Sequence, residues 1–185
     1  MAIVDLTPGH PLLDQAAELL ADRLPAGWSD LDAAREEVWD MTDPSRVARG
    51  YTEPGVDGGP DRLLGWIGAL EMYPGHVWEL HPLVVRRGHD RRGIGRALVL
   101  DLEEQLRRRG VHTVFLGSDD EHGQTSLADV DLWPDPLAHL ARLVDRAGHP
   151  FGFYVKMGYR PVGVVPDANG PGKPDILLAR RIADP

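Results

Sequence analysis

Residues 77–110 read VWELHPLVVRRGHDRRGIGRALVLDLEEQLRRRG. An apolar strand pattern over 77–85 runs into a basic, glycine-punctuated loop and then into an amphipathic helix of about four turns. Alternation along the strand puts Trp78, Leu80 and Val84 on one face and Glu79, His81 and Leu83 on the other, so two titratable side chains share a side. Pro82 has no N–H to give to a ladder and marks an edge, a bulge or a point where neighbouring strands part. A parted strand leaves main-chain groups free for an extended ligand that carries amides of its own.

The loop has the makings of an anion cradle. Gly93 and Gly95 free the backbone for positive φ and close approach just where the helix opens. Main-chain N–H groups there have no helical partner and the helix dipole adds positive character, so a phosphate is a natural guest. Arg86, Arg87, Arg91, Arg92 and Arg96 surround it with cationic charge. Ile94, Leu98, Leu102 and Leu106 give the helix one apolar stripe to lay on a sheet, and Gly110 follows Arg107, Arg108 and Arg109 as its stop.

At 185 residues the chain is long enough to bury a full core, and we expect a single domain over 1–185. The absence of cysteine removes disulfides, thiolate chemistry and cysteine metal sites. No apolar run reaches membrane-spanning length, and MAIVDLTPGH lacks the basic start and apolar core of a signal peptide, so a cytoplasmic location away from membranes is expected. The net charge of −9 coexists with a basic cluster in the central loop and helix, which leaves the remaining surface strongly acidic. Such a surface draws cations and repels nucleic acid.

In chain order, residues 2–6 predict a strand, and Leu12, Leu13, Ala16, Leu19, Leu20 and Leu24 predict a helix ending near Pro25. A second helix starts at Ser29 or Asp30 and runs past Glu36, Glu37 and Trp39. Residues 47–52 and 63–73 predict a hairpin that continues into the strand at 77–85, giving three antiparallel strands. After the central helix a short buried strand is expected at 113–116. Residues 117–136 form a long polar loop rich in carboxylates, able to hold several ammonium groups. A helix over 137–146, a short helix after Pro150, and strands at 160–166 and 176–181 complete the pattern.

Arg92, Gly95 and Ala97 fit the pattern Q/R-x-x-G-x-G/A, which resembles the acyl-CoA pyrophosphate loop of the GCN5-related N-acetyltransferases (GNAT). That resemblance implies an α/β (α+β) GNAT fold: a central mixed, mostly antiparallel sheet, splayed at the coenzyme A site and flanked by helices. It also implies acetyl-CoA as co-substrate, held by Leu83, Val84, Val85, Arg91, Arg92, Gly93, Ile94, Gly95, Arg96, Ala97 and Tyr154. The segments WELHPLVV (78–85), LGSDD (116–120), FYVKMGY (153–159) and VGVVPDANGPGKPDI (162–176) are similar to counterparts in the chromosomal-type aminoglycoside 6′-N-acetyltransferases, in matching order.

The narrower resemblance implies transfer of acetyl to the 6′-amine of an aminoglycoside in a ternary complex, by a homodimer and without a metal. It makes Glu79 the base, His81 a neighbour lining the same site, the Leu83 N–H a donor to the thioester oxygen, and Tyr154 the acid facing the departing sulfur. The chemistry needs such groups. An ammonium must lose a proton before it attacks, attack builds charge on oxygen, and the thiolate leaves more readily beside a phenol.

Substrate contacts are implied for Glu79, His81, Asp119, Asp120, Glu121 and His122, with Trp28 and Glu37 more loosely matched. After Asp120 the family continues with leucine, aspartate, histidine and glycine, whereas this chain has Glu121, His122, Gly123 and Gln124, so its third acid aligns with either Glu121 or His122. Two other readings stand beside this one: an acetyltransferase acting on a polyamine, another small amine or a protein N-terminus, and a non-catalytic module that binds acyl-CoA or aminoglycosides.

Overall fold

The computed structural model describes residues 1–183. Its contacts divide the described residues into two compact units, residues 1–112 with Ile182 and Ala183, and residues 113–181.

The first unit holds strands β1 (Ala2–Asp5), β2 (Val47–Glu53), β3 (Arg62–Tyr73) and β4 (Val77–Val85), and helices α1 (Leu13–Arg23), α2 (Leu31–Met41) and α3 (Ile94–Arg108). Each strand pairs antiparallel with the next, so the expected three-stranded run gains β1 as a fourth member. Asp30, rather than Ser29, caps α2 by accepting the Ala33 N–H at 2.9 Å. The apolar stripes of α1 and α2 bury Ala16, Leu19, Leu20, Ala34, Val38 and Met41 against Leu63, Trp66 and Val84. Trp66 donates its indole N–H to the Ala16 carbonyl at 3.0 Å, which satisfies the one polar atom of the largest fully buried side chain.

Helix α3 buries the predicted stripe Ile94, Leu98, Leu102 and Leu106 together with Val99 and Glu103. It ends in a Schellman motif. Gly110, in the left-handed region at φ 78°, donates to the Arg107 carbonyl at 2.9 Å, and Val111 donates to the Leu106 carbonyl at 3.1 Å while its side chain is buried. Arg49 on β2 is also buried and joins three elements, bonding Asp101 of α3 through Nε at 2.6 Å and Nη2 at 3.1 Å, and Asp5 of β1 through Nη1.

The second unit holds β5 (Thr113–Asp119), α4 (Pro136–Leu140), α5 (Phe151–Lys156), β6 (Arg160–Val165) and β7 (Asp175–Arg181), with β7 antiparallel to both β5 and β6. Two sequence expectations need correction here. Strand β5 runs on to Asp119 instead of stopping at Leu116, because Gly117, Ser118 and Asp119 pair with Leu177, Ile176 and Asp175 of β7. The helix expected over 137–146 spans only Pro136–Leu140. Beyond it the main chain is claimed by other partners: the Gln124 carbonyl accepts the Arg146 and Ala147 N–H groups, and Asp145 Oδ1 accepts those of Ala147, Gly148 and His149.

Removing the buried guanidinium strands a partly buried Asp101. Arg49→Ala is therefore expected to lower unfolding free energy by about 3 kcal/mol in urea titrations, whereas Arg35→Ala, whose partners Asp14 and Asp32 are fully on the surface, leaves the midpoint unchanged.

Candidate active site

In the first unit the site is built on β4. Its residues alternate as expected, with Trp78, Leu80, Pro82 and Val84 buried and Glu79, His81 and Leu83 half-buried on the opposite face. Pro82 resolves as a bulge: Ala69 faces Leu80 and Ile67 faces Leu83, so His81 and Pro82 together stand opposite Gly68. The His81–Pro82 peptide is cis.

His81 is held from the side of α2. Its Nε2 lies 3.5 Å from Glu37 Oε1, and its ring centroid is 5.5 Å from that of Trp28. The hydrogen bond from His81 holds the Glu37 carboxyl below the usual glutamate range, against the opposing effect of burial, with Arg46 and the Trp28 indole adding to the lowering. Trp28 and Glu37, loosely matched in sequence, thus join His81 in one cluster. Glu79 sits opposite Leu70 of β3.

The loop after β4 carries the expected anion cradle in altered form. Gly93 caps α3 at φ 85° with no side-chain acceptor, and the first intrahelical bond is from the Ala97 N–H to the Gly93 carbonyl at 2.9 Å. The N–H groups of Ile94, Gly95 and Arg96 precede it and remain available to an anion. Only part of the arginine cluster serves this end. Arg86 donates to the Leu63 carbonyl at 2.8 Å, and Arg87 grips the Asp22 carboxylate at 2.9 Å, so both are committed elsewhere. Arg91, Arg92 and Arg96 are exposed and, among the described residues, carry no ion pair. Exposed donors, cationic side chains and a left-handed glycine fit a pyrophosphate.

In the second unit Asp119 and Asp120 part company. Asp119 is exposed and accepts the Asn169 side-chain amide, while its carbonyl receives the buried His149 Nε2 at 2.9 Å. Because His149 Nδ1 accepts the Phe151 N–H at 3.1 Å, its proton lies on Nε2. Asp120 is fully buried, with Oδ1 accepting the Gln124 N–H at 2.7 Å and Oδ2 the Thr125 N–H at 2.8 Å. Burial pushes its carboxyl up, but these bonds outweigh burial and hold it below the usual range. Its oxygens serve its own loop, and it presents Glu121 and the exposed His122 rather than itself.

Tyr154 lies on α5, buried, with Phe153 and Tyr159 edge-on at centroid distances of 5.0 and 5.7 Å. Burial raises its hydroxyl well above the ordinary phenol value, so it stays protonated. Sequence reading offered a bulge at Pro82 but missed Gly68 opposite it, as it missed His149 and Asn169, as determinants of these positions. Asn169 falls inside the segment 162–176, whose pattern marked it without giving it a role.

Residues 13–129, more than half the chain, match the acetyltransferase (GNAT) family. The chain belongs to that family. It is 38% identical to an aminoglycoside 6′-N-acetyltransferase whose crystal structure contains coenzyme A, over 100% of this chain and 99% of that one, with a TM-score of 0.91. An aminoglycoside 6′-N-acetyltransferase from Enterococcus faecium gives 38% identity, the same coverage and a TM-score of 0.89. An aminoglycoside 6′-acetyltransferase of type Ii gives 35% over 100% and 99% of the two chains, with a TM-score of 0.75. No curated protein sequence matches. As a GNAT acetyltransferase the chain is an acyltransferase, and none of its described helices is long and apolar enough to cross a membrane.

Glu37 binds fewer protons in the folded state than in the unfolded one, so its contribution is present at neutral pH and fades as pH falls through its lowered value. The stability advantage of the native chain over Glu37→Gln is expected to be about 1.5 kcal/mol at neutral pH, to begin fading once pH falls into the ordinary glutamate range, and to vanish only below the lowered value of Glu37. Paired urea titrations across pH measure it.

Proposed function

We propose that this chain transfers the acetyl group of acetyl-CoA to the 6′-amine of aminoglycosides, and so confers resistance to them. The observation that carries the reading is the full-length match to an aminoglycoside 6′-N-acetyltransferase complexed with coenzyme A. The pyrophosphate of acetyl-CoA is assigned to the N–H groups and arginines at 91–97, with the main chain of Leu83, Val84 and Val85 running along the rest of the cofactor.

Glu79 takes a proton from the substrate ammonium, and the free amine that results attacks the thioester carbonyl. The Leu83 N–H supports the charge that builds on oxygen, and Tyr154 donates toward the sulfur as the carbon–sulfur bond breaks. The acetamide and coenzyme A thiol are the products. His81, Asp119, Glu121 and His122 contact the polycationic substrate, and Asp120 orders the loop that carries the last two. The whole chain works as one acetyltransferase domain, forms a homodimer and acts in the cytoplasm.

Release of coenzyme A thiol is the direct test: turnover is expected with kanamycin, which bears a 6′-amine, and not with a relative bearing a 6′-hydroxyl. Turnover restricted to polyamines or peptide N-termini would replace the acceptor while leaving the acetyl donor in place. Glu79→Ala is expected to reduce kcat at least about 100-fold with acetyl-CoA affinity nearly intact, and equal loss of both would refute its assignment as base. Gly95→Leu should do the reverse, weakening acetyl-CoA binding in calorimetric titrations before it slows turnover at saturating cofactor.

A further inference from the structure

His76 and His112 belong to none of the clusters described above. His76 sits in the turn between β3 and β4, and His112 follows the end of α3. Both are exposed, and their rings lie 5.1 Å apart between centroids with a 43° tilt. The backbone fixes this pairing. The His112 N–H donates to the His76 carbonyl at 3.0 Å, the His112 carbonyl accepts the Ile182 N–H at 2.8 Å, and the His76 N–H closes its own turn on the Tyr73 carbonyl at 3.0 Å. Among the described residues neither imidazole has a hydrogen-bond partner, so no ring nitrogen is committed.

We propose that these two histidines chelate a late first-row divalent cation such as Cu²⁺, Ni²⁺ or Zn²⁺. The spacing carries the inference. A metal–nitrogen bond of about 2.0–2.1 Å, with the ring centre about 1.1 Å beyond the nitrogen, puts two imidazoles at a tetrahedral or square ion about 4.5–5.2 Å apart between centroids. The observed 5.1 Å lies in that interval. Imidazole is a favoured ligand for these ions, and the pinned main chain holds the two rings together before any ion arrives. Among the described residues no group of three or more histidine, aspartate or glutamate side chains converges on one point, so water completes the coordination.

The site lies outside the residues assigned to acetyl transfer, so it stands or falls apart from that assignment. The test is calorimetric titration of the full chain with Cu²⁺, and separately with Zn²⁺, in a non-chelating buffer. One equivalent is expected to bind, more tightly for Cu²⁺ than for Zn²⁺. His76→Ala and His112→Ala should each weaken that step at least tenfold, the double variant no further than either alone, and His139→Ala not at all. Each variant's thermal midpoint without metal controls for folding. Binding that survives His76→Ala, or losses that add in the double variant as for two independent imidazoles, would overturn the chelate.

Discussion

A Cβ on Gly68 would stand 2.4 Å from the His81 carbonyl oxygen and 2.4 Å from the Met41 methyl. No side chain fits between them, and the first half of the site depends on that vacancy. Strand β3 gives up a side chain so that β4 can set two residues, His81 and Pro82, against one. The same opening lets the end of α2 settle on the sheet, which brings Glu37, one turn earlier, to His81. A residue larger than glycine would push against backbone on one side and a fully buried methionine on the other. Either movement separates the Glu37–His81 pair, so a position with no chemistry of its own governs the geometry of groups that have it.

The charges follow a similar division of labour. The chain is strongly acidic overall, yet the loop after β4 is basic, and its outer residues are tied to α1 by ion pairs of both senses: Arg87 to Asp22, and Asp90 to Arg23. Exposed pairs of this kind contribute little to stability individually. Their effect is positional, because they anchor the loop against α1 while Arg91, Arg92 and Arg96 keep their charge for a ligand. Arg49 is the opposite case, a buried cation with two carboxylates, and it locks β1, β2 and α3 together.

What was legible in the sequence is what repeats at short range. The alternation from Val77 to Val85, the fourfold spacing of Ile94, Leu98, Leu102 and Leu106, and Gly110 as a left-handed stop all depend on neighbours within a turn or two. The reach of β5 did not, since Ser118 and Asp119 are strand residues only by virtue of β7, more than fifty positions on. The false extension of α4 has a related origin. Residues 141–146 keep helical apolar spacing, but Ser126 Oγ takes the Val144 N–H and the Gln124 carbonyl that of Arg146, Asp145 claims the N–H groups of Ala147, Gly148 and His149, and Gly148 and Pro150 close the way forward. Among the candidate site residues, Glu79, His81 and Tyr154 were visible as motif positions. That Asp120 would turn inward while Asp119 stays exposed required knowing where residues 124, 125 and 149 come to lie.

The raised Tyr154 hydroxyl bears on how the proposed reaction ends. A thiol titrates near about 8.5 and a phenol in water near about 10. Burial keeps the Tyr154 hydroxyl protonated, so outright proton transfer from tyrosine to thiolate runs uphill. A hydrogen bond from a protonated phenol does not, because it strengthens as charge grows on sulfur and leaves the proton on oxygen. The environment of Tyr154 therefore favours stabilising the departing thiolate over surrendering a proton to it. In the proposed reaction the ammonium loses two protons in becoming an acetamide: one passes to Glu79 and from there to solvent, and the other protonates the departing thiolate.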